Sequence, residues 1–352
     1  MDPDVRAQFD ADPGFLNTAS LGIPPRATVA AMQEVVTGWQ HGRLQPADFD
    51  SYVRRARTAW STLAGVDPSW VATGPSVSSF VGLVAASVPA GAEVLVAEGD
   101  FTSVLFPFLV QETRGVVVRP VPLADLVTSV RPQTALVAVS AVQSADGAIL
   151  DVEALVAAAA EHGAEVLLDT TQSCGWLPID CSRVDYAVCG AYKWLLAPRG
   201  TAFLSIRPER MDAIAPHAAN WYAGGDVWTS IYGTPLRLAD DARRFDISPA
   251  WLSWAGAAPS IELVASLDPK TVLAHDVGLA DAFLDRLGLP SQGSAIVTVD
   301  APGAEQALEA AGVSAAVRAG KVRLSFHLHN DMADVDLAIA ALSGDAGDRN
   351  AG

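Results

Sequence analysis

The chain has few cysteines, no long apolar run and no signal-peptide pattern, and each absence restricts where the protein works. Its 352 residues include only three cysteines, Cys174, Cys181 and Cys189, which cannot form a complete disulfide framework. No apolar stretch reaches the roughly 18 residues that a membrane-spanning helix needs. The acidic N-terminus lacks the basic and apolar regions of a signal peptide. We therefore expect a cytoplasmic protein with no membrane partner.

Positive charge is also scarce. The sequence carries 23 lysines and arginines against 40 aspartates and glutamates, a formal net charge of −17. A nucleic-acid partner needs lysine and arginine to neutralise its phosphates, so this balance argues against one. Arg54, Arg55 and Arg57 stand alone on a predicted amphipathic helix, where we expect them to be solvated or to contact a partner subunit.

Two common catalytic signatures are missing. No GxGxxG follows the early strands, which argues against a nucleotide-binding oxidoreductase. No GxSxG is present, which argues against a serine hydrolase built on that turn.

His327 and His329 alternate on one predicted strand, but no third metal ligand accompanies them at a suitable spacing. We therefore expect no metal site.

The sequence does contain an alternation of strand-like and helix-like segments, which is the pattern of a parallel sheet covered by helices. The predicted strands lie at 70–73, 93–98, 116–121, 135–140, 166–169, 185–189 and 201–206. The predicted helices among them lie at 27–40, 48–64, 77–88, 103–112 and 151–162. The pattern therefore indicates the α/β fold class, with a mainly parallel sheet.

The pattern changes after about residue 255, where helices and two short strands predict a smaller α+β unit. We predict a large domain over 15–250, which would bind any cofactor, and a small C-terminal domain over 251–342. Residues 1–14 would join the small domain. Residues 343–352 are predicted to form a disordered tail.

The most informative segment is 164–203, where two predicted buried strands end near useful side chains. Asp169 closes the first strand, and Lys193 lies just past the second. The pair suits pyridoxal phosphate, which needs an acid partner for its ring nitrogen and an amine for its aldehyde. We expect Asp169 to keep that nitrogen protonated, Lys193 to form the Schiff base and Gln172 to donate to the ring oxygen. The alternative is a doubly wound domain with a capping aspartate and a surface lysine.

A phosphate site is expected at TGPSVSS, residues 73–79, which joins a predicted strand to a helix. The backbone N–H groups at a helix N-terminus, here those around Val77, attract anions. Ser76 and Ser78 add hydroxyls, and Gly74 would let the backbone approach the phosphate closely. The alternative is an ordinary capped helix start.

Four motifs together resemble the class V aminotransferase family, which includes cysteine desulfurases, isopenicillin N epimerase-like proteins, kynureninases and some carbon–sulfur lyases. They are FLNTASLG, LLDTTQS, AYKWLLAPRGTAF and RLSFHLHN, in the family's order from Phe15 to Asn330. The resemblance implies a fold type I pyridoxal-phosphate enzyme, a homodimer with shared active sites whose small-molecule substrate is an α-amino acid.

The resemblance also implies roles for residues outside the central pair. Phe101 falls where the family stacks a histidine or an aromatic ring on the cofactor; the alternative is a core-packing phenylalanine. Arg323 falls where the family's arginine binds the substrate α-carboxylate, and Asn17 would approach the same group. The alternative for Arg323 is a surface arginine. The residues of loop 222–235 that would enter the other subunit's site are Trp228, Thr229 and Tyr232.

The chain departs from the family pattern in three places. Cysteine desulfurases carry a reactive cysteine shortly before the carboxylate-binding arginine, and AAGVSAAVRAGKVR at that place has none. A persulfide-forming desulfurase is therefore not expected. Tyr192 precedes the lysine where many members have histidine. Gly190 replaces a serine that often contacts the phosphate, so that contact would come from the neighbouring subunit.

Transamination is the reaction that we expect from the resemblance. The amino acid would form an external aldimine, and Lys193 would remove its α-proton to give a quinonoid that Asp169 stabilises through the ring. Elimination at the β-carbon, including carbon–sulfur cleavage, shares these steps and is the first alternative. Epimerisation and cofactor binding without turnover are the others.

Overall fold

The computed structural model describes residues 1–343 and is built on a seven-stranded sheet. Its strands are β1 (Val71–Gly74), β2 (Glu93–Ala97), β3 (Val117–Val121), β4 (Thr134–Ser140), β5 (Glu165–Asp169), β6 (Tyr186–Gly190) and β7 (Ala202–Ile206). They lie in the order β1-β7-β6-β5-β4-β2-β3, and only β7 runs antiparallel to its neighbours. The predicted fold class, α/β with a mainly parallel sheet, is confirmed.

Helices cover both faces of this sheet. The α-helices in the described part of the chain are α1 (Pro3–Arg6), α2 (Arg26–Gln40), α3 (Asp50–Ala64), α4 (Val77–Ser87), α5 (Thr102–Leu109), α6 (Val152–His162), α7 (Pro208–Met211), α8 (Trp251–Ala265), α9 (Pro269–Arg286), α10 (Ala304–Ala310) and α11 (Met332–Leu342). On one face Phe203 of β7 stacks on Trp60 of α3, with ring centroids 5.0 Å apart, and meets Trp254 of α8 edge-on. On the other face Phe80 and Phe108 pack from α4 and α5. Because both faces of the central strands are buried, the middle of β4, β5, β6 and β7 is largely apolar, whereas the edge strand β3 is partly exposed.

A second sheet has three antiparallel strands, β8 (Ile296–Val299), β9 (Ala316–Arg318) and β10 (Lys321–Ser325), in the order β8-β10-β9. Helices α9, α10 and α11 share its core with Leu16 from the N-terminal segment. The same segment forms bridges from Phe15 to Ser314 and from Asn17 to Ser325. This N-terminal segment therefore lies against the end of β10, beside Arg323.

The predicted division at residue 250 falls at the start of α8, a helix that packs against α2 and α3. The division into 15–250 and 251–342 stays a prediction. Residues 344–352 of the predicted tail lie outside the described residues. Within residues 1–343, no helix combines the length and the apolar character that crossing a membrane requires.

Candidate active site

The candidate active site lies at the carboxyl ends of β5 and β6, two neighbouring parallel strands. Side chains at these ends meet at one edge of the sheet, which is where open α/β sheets bind ligands. Asp169 ends β5 and Lys193 follows β6, and only 4% and 5% of their surfaces are exposed. The predicted site residues that line the cavity at this edge are Ser76, Val77, Phe101, Asp169, Gln172 and Lys193.

A larger cavity, of about 320 Å³, lies between the end of α3 and the segment 173–181. Its lining includes Cys174 and Cys181 but, among residues 1–343, neither a lysine nor an arginine. It therefore offers no amine to an aldehyde and no cation to a phosphate. The smaller cavity at the ends of β5 and β6 is the one with the required chemistry.

Lys193 has the properties of a nucleophilic amine. Its pKa is lowered from 10.5 to about 8, mainly by burial and also by the nearby charge of Arg323, against the attraction of Asp169. A substantial fraction of the amine is therefore unprotonated just above neutral pH. Nζ lies 5.2 Å from the ring centroid of Phe101 and 5.8 Å from that of Tyr192. Phe101 is 43% exposed, so its ring borders the cavity and is not packed in the core.

Asp169 is a buried carboxylate, and the positive charge around it does not compensate for the cost of burying its ionised form. Burial raises its pKa from 3.8 to about 6, although Thr171 donates its backbone N–H to Oδ1 at 2.8 Å. The charge of nearby Asp100 raises the pKa further, and that of Lys193 only partly opposes the shift. A cationic group placed against Asp169 would remove this penalty, which is what a protonated ring nitrogen offers.

The turn between β1 and α4 meets part of the prediction for a phosphate site. Ser76 caps α4, with its Oγ accepting the N–H of Ser79 at 3.3 Å, and Ser76, Val77 and Ser78 line the cavity. Gly74 does not line it. A Cβ at Gly74 would lie 2.7 Å from Cζ of Phe80, so packing against that ring is a second explanation for the glycine.

Gln172 lies in the cavity wall with its amide already engaged. Its Nε2 donates to the carbonyl of Ala19 at 3.0 Å and to Oγ of Ser144 at 2.9 Å. Its Oε1 accepts the indole N–H of Trp194 at 2.9 Å. Donation to a ring oxygen would require Gln172 to give up one of these bonds, so its contacts favour a supporting position in the wall.

Arg323 is a buried cation without a carboxylate partner among residues 1–343. It lies in β10 with 1% of its surface exposed, and it donates to Oγ of Ser20 at 2.7 Å and to Oγ of Ser144 at 3.1 Å. Its Nε has no partner in this part of the chain. Burial, and secondly the charge of Arg318, lowers its pKa to about 10. Since an unpaired buried charge is costly, the guanidinium is suited to an anionic ligand.

Asn17 forms a bridge to Ser325, two residues after Arg323 in β10, and neither Asn17 nor Arg323 is among the residues that line the cavity. Its Oδ1 is buried with no hydrogen-bond partner in the described residues, and its Nδ2 makes one long contact, 3.5 Å, to the carbonyl of Ala315. A nearly uncommitted amide near the strand that carries an unpaired guanidinium fits the predicted position near a substrate carboxylate.

The three residues predicted to cross to another subunit do not line the cavity of their own chain. Trp228 donates its indole N–H to Oδ2 of Asp50 at 3.0 Å and packs against Trp221. Thr229 is exposed, and Tyr232 is 88% exposed. The loop therefore projects from the surface, as a segment that reaches a neighbouring subunit would.

Sequence reasoning missed Ser20 and Ser144, the two hydroxyls that hold Arg323. Ser144 follows β4, whose last residue Ser140 lies in register with Asp169. The position of Ser144 just past a strand that neighbours β5 was a usable signal. For Ser20 the only signal was its place in the motif FLNTASLG.

Comparisons with known proteins show the family of the chain. The family model of the class V aminotransferases matches residues 72–303, more than half of the chain. Isopenicillin N epimerase of Streptomyces clavuligerus is 29% identical over 331 residues, covering 85% of this chain and 81% of that protein. An uncharacterized aminotransferase of Bacillus subtilis is 30% identical over 306 residues, covering 81% of each.

Solved structures show the same fold at lower identity. The cystine C–S lyase C-DES, in complex with its reaction product cysteine persulfide, aligns with a TM-score of 0.85 at 22% identity, over 95% of this chain and 98% of that one. The family match spans both Asp169 and Lys193. The chain thus belongs to the class V aminotransferase family, whose cofactor is pyridoxal phosphate.

Proposed function

We propose that this chain is a pyridoxal-phosphate-dependent enzyme that acts on an α-amino acid, with transamination as its reaction. The observation that carries the proposal is the joint burial of Lys193 and Asp169 at adjacent strand ends, in a cavity whose wall includes Ser144, a hydrogen-bond partner of the unpaired Arg323. An amine, a ring-nitrogen partner and a carboxylate site are the three groups that such a reaction requires.

The residues present fit the cofactor. Lys193 would bond its aldehyde, Asp169 would face its ring nitrogen, Phe101 would cover the ring, and the turn from Ser76 to Ser78 would hold its phosphate. When bound, pyridoxal phosphate supplies an electron sink that stabilises negative charge at the α-carbon of an amino acid. The cationic ring nitrogen would offset the burial penalty on Asp169.

The chain's own groups then bind the substrate and move a proton. Arg323 would pair with the α-carboxylate in a bidentate fork, with Asn17 beside it, which orients the α-carbon towards Lys193. Nζ of Lys193 would take the α-proton, because a base works best when its pKa lies near the working pH. The pKa of about 8 for this amine meets that condition.

Two other reactions of the same class are supported by particular observations. The isopenicillin N epimerase relative, over 85% of this chain, favours epimerisation as an alternative. The similarity in fold to a cystine C–S lyase favours β-elimination as a second alternative reaction.

All three cysteines are buried and none lines the cavity, which supports the expectation that the chain is not a persulfide-forming desulfurase. Incubating the loaded enzyme with amino acids, with and without a keto acid, tests transamination; more than one equivalent of product per active site in the absence of a keto acid would contradict it, because the cofactor can accept only one amino group.

The carboxylate role predicts a selective loss in Arg323→Lys. A point charge replaces a bidentate fork, so affinity for an amino acid should fall about ten- to a hundredfold, corresponding to about 1.5–3 kcal/mol. Affinity for the decarboxylated amine should change little. Arg318→Lys, at the exposed neighbouring arginine, is the matched control. Equal losses for amino acid and amine in Arg323→Lys would remove Arg323 from the substrate site.

Shared active sites in a homodimer predict complementation between two inactive variants. We propose that Tyr232, with Trp228 and Thr229, completes the partner's site. Tyr232→Ala and Lys193→Ala should each be inactive alone. Co-expressed, they should form mixed dimers with one intact site and recover up to about a quarter of wild-type activity. No recovery, with mixed dimers confirmed by tag capture, would contradict cross-subunit sharing.

A further inference from the structure

The turn that carries Lys193 is hydrogen-bonded at three successive carbonyls. The carbonyl of Tyr192 accepts the N–H of Gly22 at 2.9 Å, and that of Lys193 accepts the N–H of Leu196 at 3.1 Å. These two bonds come from the backbone, so side-chain chemistry does not alter them. The third carbonyl, at Trp194, is held by a side chain.

That side chain is His327, which lies past β10 and is wholly buried. Its Nε2 lies 2.9 Å from the carbonyl oxygen of Trp194, and its ring meets the Trp194 indole edge-on at 5.1 Å. A carbonyl only accepts, so Nε2 carries the hydrogen. Nδ1 lies 2.6 Å from Oδ2 of Asp276, which is equally buried in α9.

The carboxyl group of Asp276 fixes the orientation of this imidazole. Whether the remaining proton resides on Nδ1 or on Asp276, the hydrogen on Nε2 stays directed at Trp194. A buried ion pair is weak evidence for stability, since well-packed apolar residues often stabilise a fold as well, and in some proteins such a pair specifies one geometry. Here that geometry is the course of the main chain directly after Lys193.

We propose that His327 is a positioning residue for Lys193: its Nε2–H holds the carbonyl of Trp194, and Asp276 holds its imidazole in place. The functional consequence rests on the role proposed above for Lys193. The Trp194 indole donates to Gln172, which in turn donates to Ser144, a partner of Arg323. The same network therefore joins the turn of the amine to the carboxylate site.

Two amide variants separate positioning from stability. In His327→Asn the amide takes the place of Nδ1, so it reaches Asp276 but is too short to reach Trp194. In His327→Gln the amide takes the place of Nε2 and restores the donor to the Trp194 carbonyl. Leu284→Ala, which opens the small-domain core on α9 without touching the turn, is the control for lost stability.

The first readout is the reactivity of Lys193 towards an acylating reagent in the full chain freed of cofactor, located by peptide mass. In wild type the rate should rise with pH through a midpoint near 8. In His327→Asn the loosened turn admits water, so the midpoint should move towards 10.5 by about one pH unit or more. His327→Gln and Leu284→Ala should keep the wild-type midpoint.

The second readout is turnover by the loaded enzyme. In His327→Asn kcat should fall about tenfold or more with KM for the amino acid nearly unchanged, and His327→Gln should recover most of it. An unchanged acylation midpoint in His327→Asn, or an equal shift in Leu284→Ala, would overturn the positioning role. If wild type takes up no pyridoxal phosphate at Lys193, the proposed function fails, while the acylation comparison still decides the role of His327.

Discussion

Replacing Lys193 with alanine should abolish covalent attachment of pyridoxal phosphate and, with it, turnover. The other lysines, Lys270 and Lys321, are exposed and do not line the cavity, so neither can substitute. The loss includes both the amine that bonds the aldehyde and the base that takes the α-proton. Activity should fall by at least about 10²–10⁴-fold, the range for removing one positioned acid–base group.

The measurement is the visible absorbance of the loaded protein, together with borohydride trapping and peptide mass. Lys193→Ala should retain at most cofactor that dialysis removes. Lys270→Ala, on the exposed surface of α9, is the matched control and should trap cofactor as wild type does. Trapped cofactor in Lys193→Ala, on any lysine, would refute the assignment.

The neighbourhood of Asp169 and Lys193 followed from the sequence because the pattern was strong. Alternating apolar runs predict a parallel sheet, and the ends of its strands must meet at one edge. Ser76, Val77 and Phe101 follow strand ends in the same way and line the same cavity. The predictions for Ser76 and Val77 needed only local periodicity and topology, whereas that for Phe101 depended on the family resemblance.

Contacts between the two sheets could not be predicted in that way. Ser144 and Arg323 are 179 residues apart in sequence, and His327 and Trp194 are 133 apart. No periodicity indicates which carbonyl a buried histidine meets. At Gly74 packing against Phe80 offers a second explanation for the glycine, and its role in the close approach of a phosphate stays a prediction.

Asp169→Asn should raise the stability of the cofactor-free protein but lower the reaction rate of the cofactor-loaded enzyme. In the empty protein, burial raises the carboxyl pKa from 3.8 to about 6. This difference corresponds to a penalty of up to about 3 kcal/mol on the ionised form at pH 7. Asparagine has no charge to desolvate and can still accept the N–H of Thr171. The free energy of unfolding of the empty variant should therefore exceed that of wild type at pH 7.

The gain in the free energy of unfolding that Asp169→Asn brings should depend on pH, and its direction follows from the raised pKa of Asp169. Because the folded-state pKa is raised, the penalty is absent below about pH 3.8, where the carboxyl is protonated in both states, and complete above about pH 6. The stability difference between Asp169→Asn and wild type should therefore shrink as the pH falls from 6 to 4. Asp246→Asn is the contrasting control, since it removes the partner of buried Arg57 and should destabilise the protein.

The loaded enzyme should lose rate for the same reason that the empty variant gains stability. Without the carboxylate at 169, the ring nitrogen is not held protonated, and the cofactor stabilises negative charge at the α-carbon poorly. Loss of one preorganised electrostatic partner lowers kcat by about 10²–10³-fold. The measurement is hydrogen–deuterium exchange at the substrate α-carbon, which isolates proton transfer from later steps. Exchange at the wild-type rate in Asp169→Asn, with cofactor bound, would show that Asp169 does not serve the ring nitrogen. Greater stability of the empty variant would then reflect only the burial of its side chain.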